Sequence, residues 1–511
     1  MSDADERDLS GMWLRALAAM LVLGVLAPFV LVDWPDNMAT PLNVLLGMAI
    51  VLIGAVRLSG VLGSGKPDLF RAFFYVFVFV FMGVAALAQV VAGAYPMDGR
   101  SYAHDTVTDG LLAVLVGIAG YELGWYLYRR RAPRTATDGA TVRWYFSPSR
   151  TVLVGVLGLI AVSYQISRYG IAAFLTSRSE TIAILAGRDA DSSPFYNALD
   201  KTSGLLTIFL TQVPVFAALF IILYCRHHRL WAPPRSMATD ALWRTFILVL
   251  IAANVVINNP IGNGRFWSCL VVVAFISIYV SYTRVSGVRA YVGFALVILL
   301  FLFTALDAFR NTGDPNFDVA GPRTGIVSDA TYSMFQMELN GVEFVEREGH
   351  TAGRQMLGTL LAFVPRGLWE NKPGPTGQLV DPQYVRSATA WTEFQVDFGI
   401  TGVLLLFALY GAASAALTVR GVNARPGLLH AAVPLLAVFQ LFLLRGSLLP
   451  AAVHLYQLVA VFALTIAVRR ITASTGISHR EVAGGRSGRT CSASTGERQV
   501  PASQRTGSTS S

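Results

Sequence analysis

Stretches of about twenty residues in which nearly every side chain is apolar recur along this chain, and segments of that length and composition suit the hydrocarbon of a bilayer. They lie near 12–32, 41–61, 72–94, 111–128, 151–168, 204–225, 244–258, 266–282, 290–309, 399–419, 428–444 and 450–468. The seventh and eleventh are short. With 54% hydrophobic and 14% charged residues among 511, the chain reads as an all-α polytopic membrane protein of about twelve spans. A string of soluble domains would not keep its apolar residues in such unbroken runs.

The connecting segments give an orientation, because short cytoplasmic loops are enriched in Lys and Arg. Arg57, Lys66 and Arg71 follow the second run, Arg129, Arg130, Arg131 and Arg134 the fourth, and Arg226, Arg229 and Arg235 the sixth. Arg284 and Arg289, then Arg420 and Arg425, then Arg469 and Arg470 continue the alternation. Asp33, Asp36, Asp98, Asp105 and Asp109, against a single Arg100, mark the opposite side. The expected arrangement is a cytoplasmic N-terminus at 1–11, spans one to nine over 12–309, a large extracytoplasmic loop at 310–398, spans ten to twelve over 399–468, and a cytoplasmic tail at 469–511. The first run is read as a retained anchor, since acidic residues precede it and no small-residue cleavage site follows. From 472 onward the tail is rich in Ser, Thr, Gly and Arg without apolar periodicity and is expected to be disordered.

A net charge of +9 invites a nucleic-acid reading, yet the basic residues flank apolar runs and no zinc-finger, RNA-binding or helix-turn-helix pattern accompanies them. Nucleic acid is therefore not an expected partner; the bilayer is. Cys225, Cys269 and Cys491 fall in two spans and the tail, so no disulfide framework is expected, and no metal-ligand spacing occurs.

The orientation rule breaks from the middle of the chain onward, where segments assigned to the exterior are basic. Arg168, Arg178, Arg188 and Lys201 follow the fifth run. Arg265 ends Asn258-Asn259-Pro260-Ile261-Gly262-Asn263-Gly264-Arg265 at the mouth of the eighth. Arg310, Arg323, Arg366, Lys372 and Arg386 occupy the long loop, and Arg445 closes the eleventh run. Cations kept near membrane depth against the topological trend imply an anionic ligand.

Within the loop, Phe363-Val364-Pro365-Arg366-Gly367-Leu368-Trp369-Glu370-Asn371-Lys372-Pro373 joins two cations, two prolines and an aromatic. The preceding Leu357 to Val364 is too short to cross a bilayer and is expected to dip into the interface or rest on the bundle. Arg366 would then stand at headgroup height, where a guanidinium holds phosphate by two charge-assisted hydrogen bonds. Upstream, Tyr332, Phe335, Leu339 and Val342 recur at helical spacing behind Ser328 and Asp329, giving an expected amphipathic helix over 329–347 on the membrane face, with Glu338 and Glu346 bordering its apolar stripe. Pro-Gly-Pro-Thr-Gly at 373–377 reads as a turn-rich linker that either connects or covers the site.

Glu393 and Asp397, four residues apart ahead of the tenth span, share a helix face if that helix starts early. They are either candidate general bases or acidic residues favoured by a helix N-terminus. Glu122, inside the fourth run beside Tyr121 and Trp125, reads as a structural partner for an arginine. His454 reads as a packing histidine with proton transfer as the alternative.

The Phe363 to Pro373 stretch, the helix and short apolar piece before it, the Glu393 to Gly402 run, and Tyr169-Gly170 with Phe174-Leu175 and Arg178 together resemble the O-antigen polymerase family, the oligosaccharide repeat-unit polymerases. The resemblance covers roughly residues 150 to 470, and Pro-Arg, aromatic, Lys-Pro is its most specific piece. It implies a GT-C-like membrane glycosyltransferase of the cell envelope that uses undecaprenyl-pyrophosphate-linked oligosaccharide at the outer face of the plasma membrane. The growing chain would pass to a sugar hydroxyl of a new lipid-linked repeat, with no metal or other cofactor, alongside flippase and chain-length regulator proteins. It also implies a pyrophosphate site from Arg178, Arg265, Arg310 and Arg366, with Arg168, Lys372 and Arg445 in support, and Glu393 or Asp397 as base. Two rivals share parts of this pattern: a ligase-type glycan transferase, and a flippase or exporter.

Overall fold

The computed structural model describes residues 3–34, 40–64, 66–97, 99–131, 142–175, 202–233, 236–259, 265–302, 322–364, 367–382 and 387–470. Among these, nine helices are long and apolar enough to cross a membrane: Met12–Leu31, Pro41–Gly63, Leu69–Ala92, His104–Arg131, Pro148–Tyr169, Met237–Ile257, Ala390–Val422, Leu428–Arg445 and Leu448–Thr465. Three shorter apolar helices, Thr211–His227, Trp267–Tyr279 and Val285–Leu300, occupy the places of the sixth, eighth and ninth apolar runs. The chain is an all-α polytopic membrane protein. Of the expected tail at 469–511, residues 471–511 lie outside the described residues, while Arg469 and Arg470 end a strand.

The bundle is organised around Leu69–Ala92, which is buried along nearly its whole length, whereas the peripheral Met12–Leu31 is mostly not. Its sequence accounts for this position: Phe70, Phe73, Phe74, Phe77, Phe79 and Phe81 leave it apolar on every side, as a helix surrounded by others must be. Its middle, Val78–Ala85, widens into π-helical turns while remaining buried throughout.

Beside it run His104–Arg131 and Ala390–Val422, the most closely packed helix pair. A side chain at Gly120 or Gly124 would strike the carbonyl oxygens of Leu404 or Ala408, and one at Gly411 would strike that of Tyr121. Between membrane helices, where lipid offers no hydrophobic penalty to escape, such close backbone approach supplies the attraction. Trp391 closes the pair at one end, its indole lying against Gly117 and donating to the Val114 carbonyl at 3.3 Å.

Ala390–Val422 is not one straight rod. Gly399 takes φ +67° and ψ −164°, and a Cβ there would sit 2.9 Å from His350. Trp391 and Leu404, about 20 Å apart along a straight helix, meet Gly117 and Gly120, less than one turn apart. The chain therefore turns sharply at Gly399, and Ala390–Phe398 belongs to the loop end.

Helix ends sort onto two faces. One face, the arginine end, holds Glu122 against Arg71 at 2.7 Å and Arg57 at 3.2 Å, with the Tyr75 hydroxyl donating to the same carboxylate at 2.6 Å. Glu122 is thus the arginine partner its sequence position suggested. At the same end Val142–Phe146 and Ile466–Arg470 form an antiparallel two-stranded ribbon, which corrects the reading of 450–468 as a single helix. Ile466, Ala467 and Val468 prolong the apolar run, but the helix ends at Thr465 and the chain becomes extended at Ile466. The opposite face, the loop end, carries the 322–398 segment.

Candidate functional site at the loop end

The loop is built on the helix Met334–Glu348. Asp329 accepts the Thr331 amide at 2.7 Å and starts the chain through a 3-10 turn at Ala330–Tyr332. Expected as an amphipathic helix on the membrane face, it is instead buried on every side from Met334 to Val342. The polar positions that suggested an exposed face are satisfied internally, which permits burial. The Gln336 amide exchanges hydrogen bonds with Met97 N and O, both at 3.0 Å, and Asn340 accepts from the Tyr102 hydroxyl at 2.5 Å. Glu343, farther round, pairs with Arg100 at 2.8 Å.

Three carboxylates meet the Ala390–Phe398 segment, and none is open to solvent: Glu338 is 0% exposed, Glu393 2% and Asp397 1%. The early helix start at Ala390 does bring Glu393 and Asp397 onto one face. Asp397 accepts the Gln355 and Met356 amides at 3.1 and 2.6 Å and the Thr351 hydroxyl, so it caps the short helix Arg354–Leu360. Glu393 accepts the Leu448 amide at 2.8 Å, capping Leu448–Thr465, and takes the Thr376 hydroxyl on its other oxygen. Glu338 accepts the Thr392 hydroxyl at 2.8 Å on Oε2, while Oε1 meets no hydrogen-bond partner among the described residues. Glu338 is the residue sequence reading placed wrongly, because a carboxylate bordering an apolar stripe gives no sign of the threonine facing it.

Burial pushes the Glu338 carboxyl up from 4.5 to about 7, against the pull of threonine hydroxyls. An unfolded chain ionises this group from about pH 4.5, whereas the folded chain keeps the proton to about 7. Through this group stability is expected to fall as pH rises between those values, and Glu393, pushed up to about 7 by the same burial, adds a second fall in the same range. Thermal midpoints of wild type and Glu338→Gln across that range test this; a slope that survives the substitution belongs to another group.

The Pro-Gly-Pro-Thr-Gly segment is part of this core. Pro373, Pro375, Thr376 and Gly377 are buried, and Thr376–Val380 forms a short helix. A free cover would not be sequestered in this way.

Around the cation-bearing stretch, the flanks are fixed. Lys372 Nζ donates to the Ala362 and Val364 carbonyls at 2.8 and 2.7 Å, closing the 362–372 loop on itself. Arg354 donates to the Asn371 carbonyl at 3.1 Å, and Tyr456 to that of Leu360 at 3.0 Å. Leu357, Leu360, Phe363 and Leu368 are exposed, an apolar lip on the outside of the bundle where the sequence expected an interfacial dip. Arg366 itself lies outside the described residues, as do Arg178, Arg310 and Arg386.

Of the remaining cations, Arg445 donates to the Thr331 carbonyl at 3.4 Å beside the loop helix. Arg168 ends Pro148–Tyr169, with its guanidinium 5.1 Å from the Tyr169 ring. Arg265 is the first residue of its helix. Two asparagines hold its neighbourhood: Asn258 accepts from Trp267 Nε1 at 2.8 Å, and Asn259 donates to the Phe174 carbonyl at 2.6 Å. Asn259 thereby ties the end of Met237–Ile257 to Ala172–Leu175. Trp267 faces the His454 ring at 5.8 Å, and His454, held by the Pro450 carbonyl at 2.8 Å, sits among aromatic rings as a packing histidine does. Phe363 faces Tyr456 on the same last helix at 6.1 Å.

No three His, Cys, Asp or Glu side chains converge into a metal-binding group among the described residues. Bundle and loop together define a polytopic helical membrane protein with a folded, carboxylate-centred domain on one face. No protein-family model, curated protein or solved structure matches the chain.

Proposed function

We propose that the protein polymerises oligosaccharide repeat units carried on undecaprenyl pyrophosphate, as a plasma-membrane glycosyltransferase with twelve spans, a GT-C-like arrangement, both termini in the cytoplasm and the loop end outside. One observation carries this reading. The helix Leu448–Thr465 gathers the stretches that bear the candidate groups: Trp267, two residues beyond Arg265; Phe363, three before Arg366; and Glu393, through the Leu448 amide. The exposed lip of Leu357, Leu360 and Phe363 lies beside the same helix, through the Phe363–Tyr456 contact and the Tyr456 bond to the Leu360 carbonyl, so an apolar surface adjoins a stretch that carries candidate cations, which suits a polyprenyl pyrophosphate.

In the reaction, an acceptor hydroxyl oxygen attacks the anomeric carbon of the donor chain and the carbon–oxygen bond to the pyrophosphate breaks. The electron pair leaves on the diphosphate, where Arg265, Arg366, Arg178 and Arg310, supported by Arg168, Lys372 and Arg445, stabilise the growing charge. The hydroxyl proton goes to Glu393 or Asp397. Of the two, Asp397 already accepts two amides and a hydroxyl. Glu393 is freed on one oxygen once Thr376 gives up its bond, which makes it the better base.

Chain-length analysis of the surface polysaccharide tests the reading. Arg366→Ala is expected to leave single repeats at unchanged protein level, a loss of polymer of about a hundredfold or more, and Arg366→Lys to restore little because a lysine cannot make the paired contact. Normal long polymer in Arg366→Ala removes the residue from the site. Purified protein given a defined lipid-linked repeat should release undecaprenyl pyrophosphate as polymer grows; transport without release would instead mark an exporter.

A further inference from the structure

On the loop end, between the starts of Pro41–Gly63 and His104–Arg131 and the end of Leu69–Ala92, lies a cavity of about 300 Å³ that none of the groups above uses. We propose that it is a binding subsite for a neutral sugar, one or two rings of a glycan held away from the pyrophosphate. The proposal rests on the polymerase reading only for which glycan is bound.

The shape of the wall sets the ligand class. Tyr95 and Tyr102 meet edge to face, 4.9 Å apart at 83°, and form an apolar corner that valines complete. Thr40, Asn43, Ser101 and His104 supply hydroxyl, amide and imidazole groups around it. A pyranose ring has matching parts, a C–H face for an aromatic wall and a rim of hydroxyls for polar neighbours. The volume is at the small end of the roughly 300–1,000 Å³ of ligand pockets, enough for sugar rings and too small for a polyprenyl chain.

Charge argues against phosphate here. No Lys, Arg, Asp or Glu is among the described lining residues. Asp105 and Asp109 are exposed within the first two turns of the same helix as His104, which disfavours an anion at the mouth. Arg100, whose guanidinium lies 5.5 Å from the Tyr102 ring, is paired with Glu343 at 2.8 Å.

The wall is also held in place before any ligand arrives. Asn43 donates to the His104 carbonyl at 3.3 Å and accepts from Thr108 at 2.7 Å, and Tyr102 is fixed by its bond to Asn340. Asn340 stands on the helix that carries Glu338, two residues away, and also donates to Asp381 at 3.5 Å, so the cavity wall is tied to the buried polar core of the loop. A sugar in the cavity would be a distal unit of the chain, gripped while another unit reacts.

The test uses the purified full chain in lipid nanodiscs and saturation-transfer NMR with neutral hexose and N-acetylhexosamine oligosaccharides, with inorganic pyrophosphate as competitor. Ser101→Trp fills the cavity from an exposed rim position, and His104→Ala removes a rim group without adding bulk. Binding of a neutral oligosaccharide that survives excess pyrophosphate and falls about tenfold or more in Ser101→Trp, with a smaller loss in His104→Ala, supports the subsite. No neutral binding by the wild type, equal binding by Ser101→Trp, or displacement by pyrophosphate overturns it. Polymerisation is scored separately. A wild type that binds sugar here but forms no polymer retains the subsite and loses the polymerase reading. Normal polymer together with neutral-sugar binding equal to wild type in Ser101→Trp removes the subsite and leaves that reading intact.

Discussion

Replacing Gly124 by alanine is expected to cost roughly 3 kcal/mol or more and to abolish recovery of monodisperse protein, although only one methyl group is added. A Cβ at this position overlaps the Ala408 carbonyl oxygen, and that oxygen belongs to helix backbone, which cannot rotate away as a side chain could. The two central helices would have to separate along their length, which would also pull on the neighbouring contacts at Gly120 and Gly411. Gly293→Ala is the matched control, since a Cβ there meets nothing within 4 Å. Yield and thermal midpoint in detergent should separate the two variants clearly. Equal midpoints would mean that the helix pair does not depend on this close approach.

Asp397→Ala is expected to lower stability by roughly 3 kcal/mol, the combined cost of two buried amides left without an acceptor and a lost helix cap. On the proposed polymerase reading, polymer output should fall with it, because the cap holds the first turn of Arg354–Leu360, just ahead of the stretch that carries Lys372. Asp397→Asn should lie between wild type and Asp397→Ala in both measurements: its oxygen can serve one amide while its NH2 group faces the other. If Asp397 were the proton acceptor and no more, the asparagine variant would be as stable as wild type and still inactive. Thermal midpoint and polymer length measured on the same preparations distinguish the two roles.

Nine of the twelve expected spans were legible because each is written as an unbroken local run, whereas the sixth, eighth and ninth runs form shorter apolar helices among the described residues. The pairing of Glu122 was legible too, since a lone carboxylate inside an apolar run must find a cation. What failed was the equation of polar with exposed. Gln336, Glu338 and Asn340 interrupt the apolar pattern of 334–348 and so suggested a surface helix, yet their partners, Met97, Thr392 and Tyr102, lie far away in sequence or across the bundle. The same blindness hid the capping work of Glu393 and Asp397. The helix-terminus reading of these acidic residues concerned their own helix, and each instead caps a different one. The ribbon at Ile466–Arg470 escaped because its partner strand is more than three hundred residues earlier, so neither strand carries a local turn signal.

The burial of Leu69–Ala92 has a consequence for biosynthesis. Its later neighbours, Ala390–Val422 and Leu428–Arg445, leave the ribosome about three hundred residues after it, a delay on the order of 15–60 s at ordinary elongation rates. Through that interval its phenylalanines must rest in lipid, which receives them without penalty. The Arg71–Glu122 clasp needs only the next span to form, so the costly charges are neutralised early while the helix waits for the neighbours that will finally surround it.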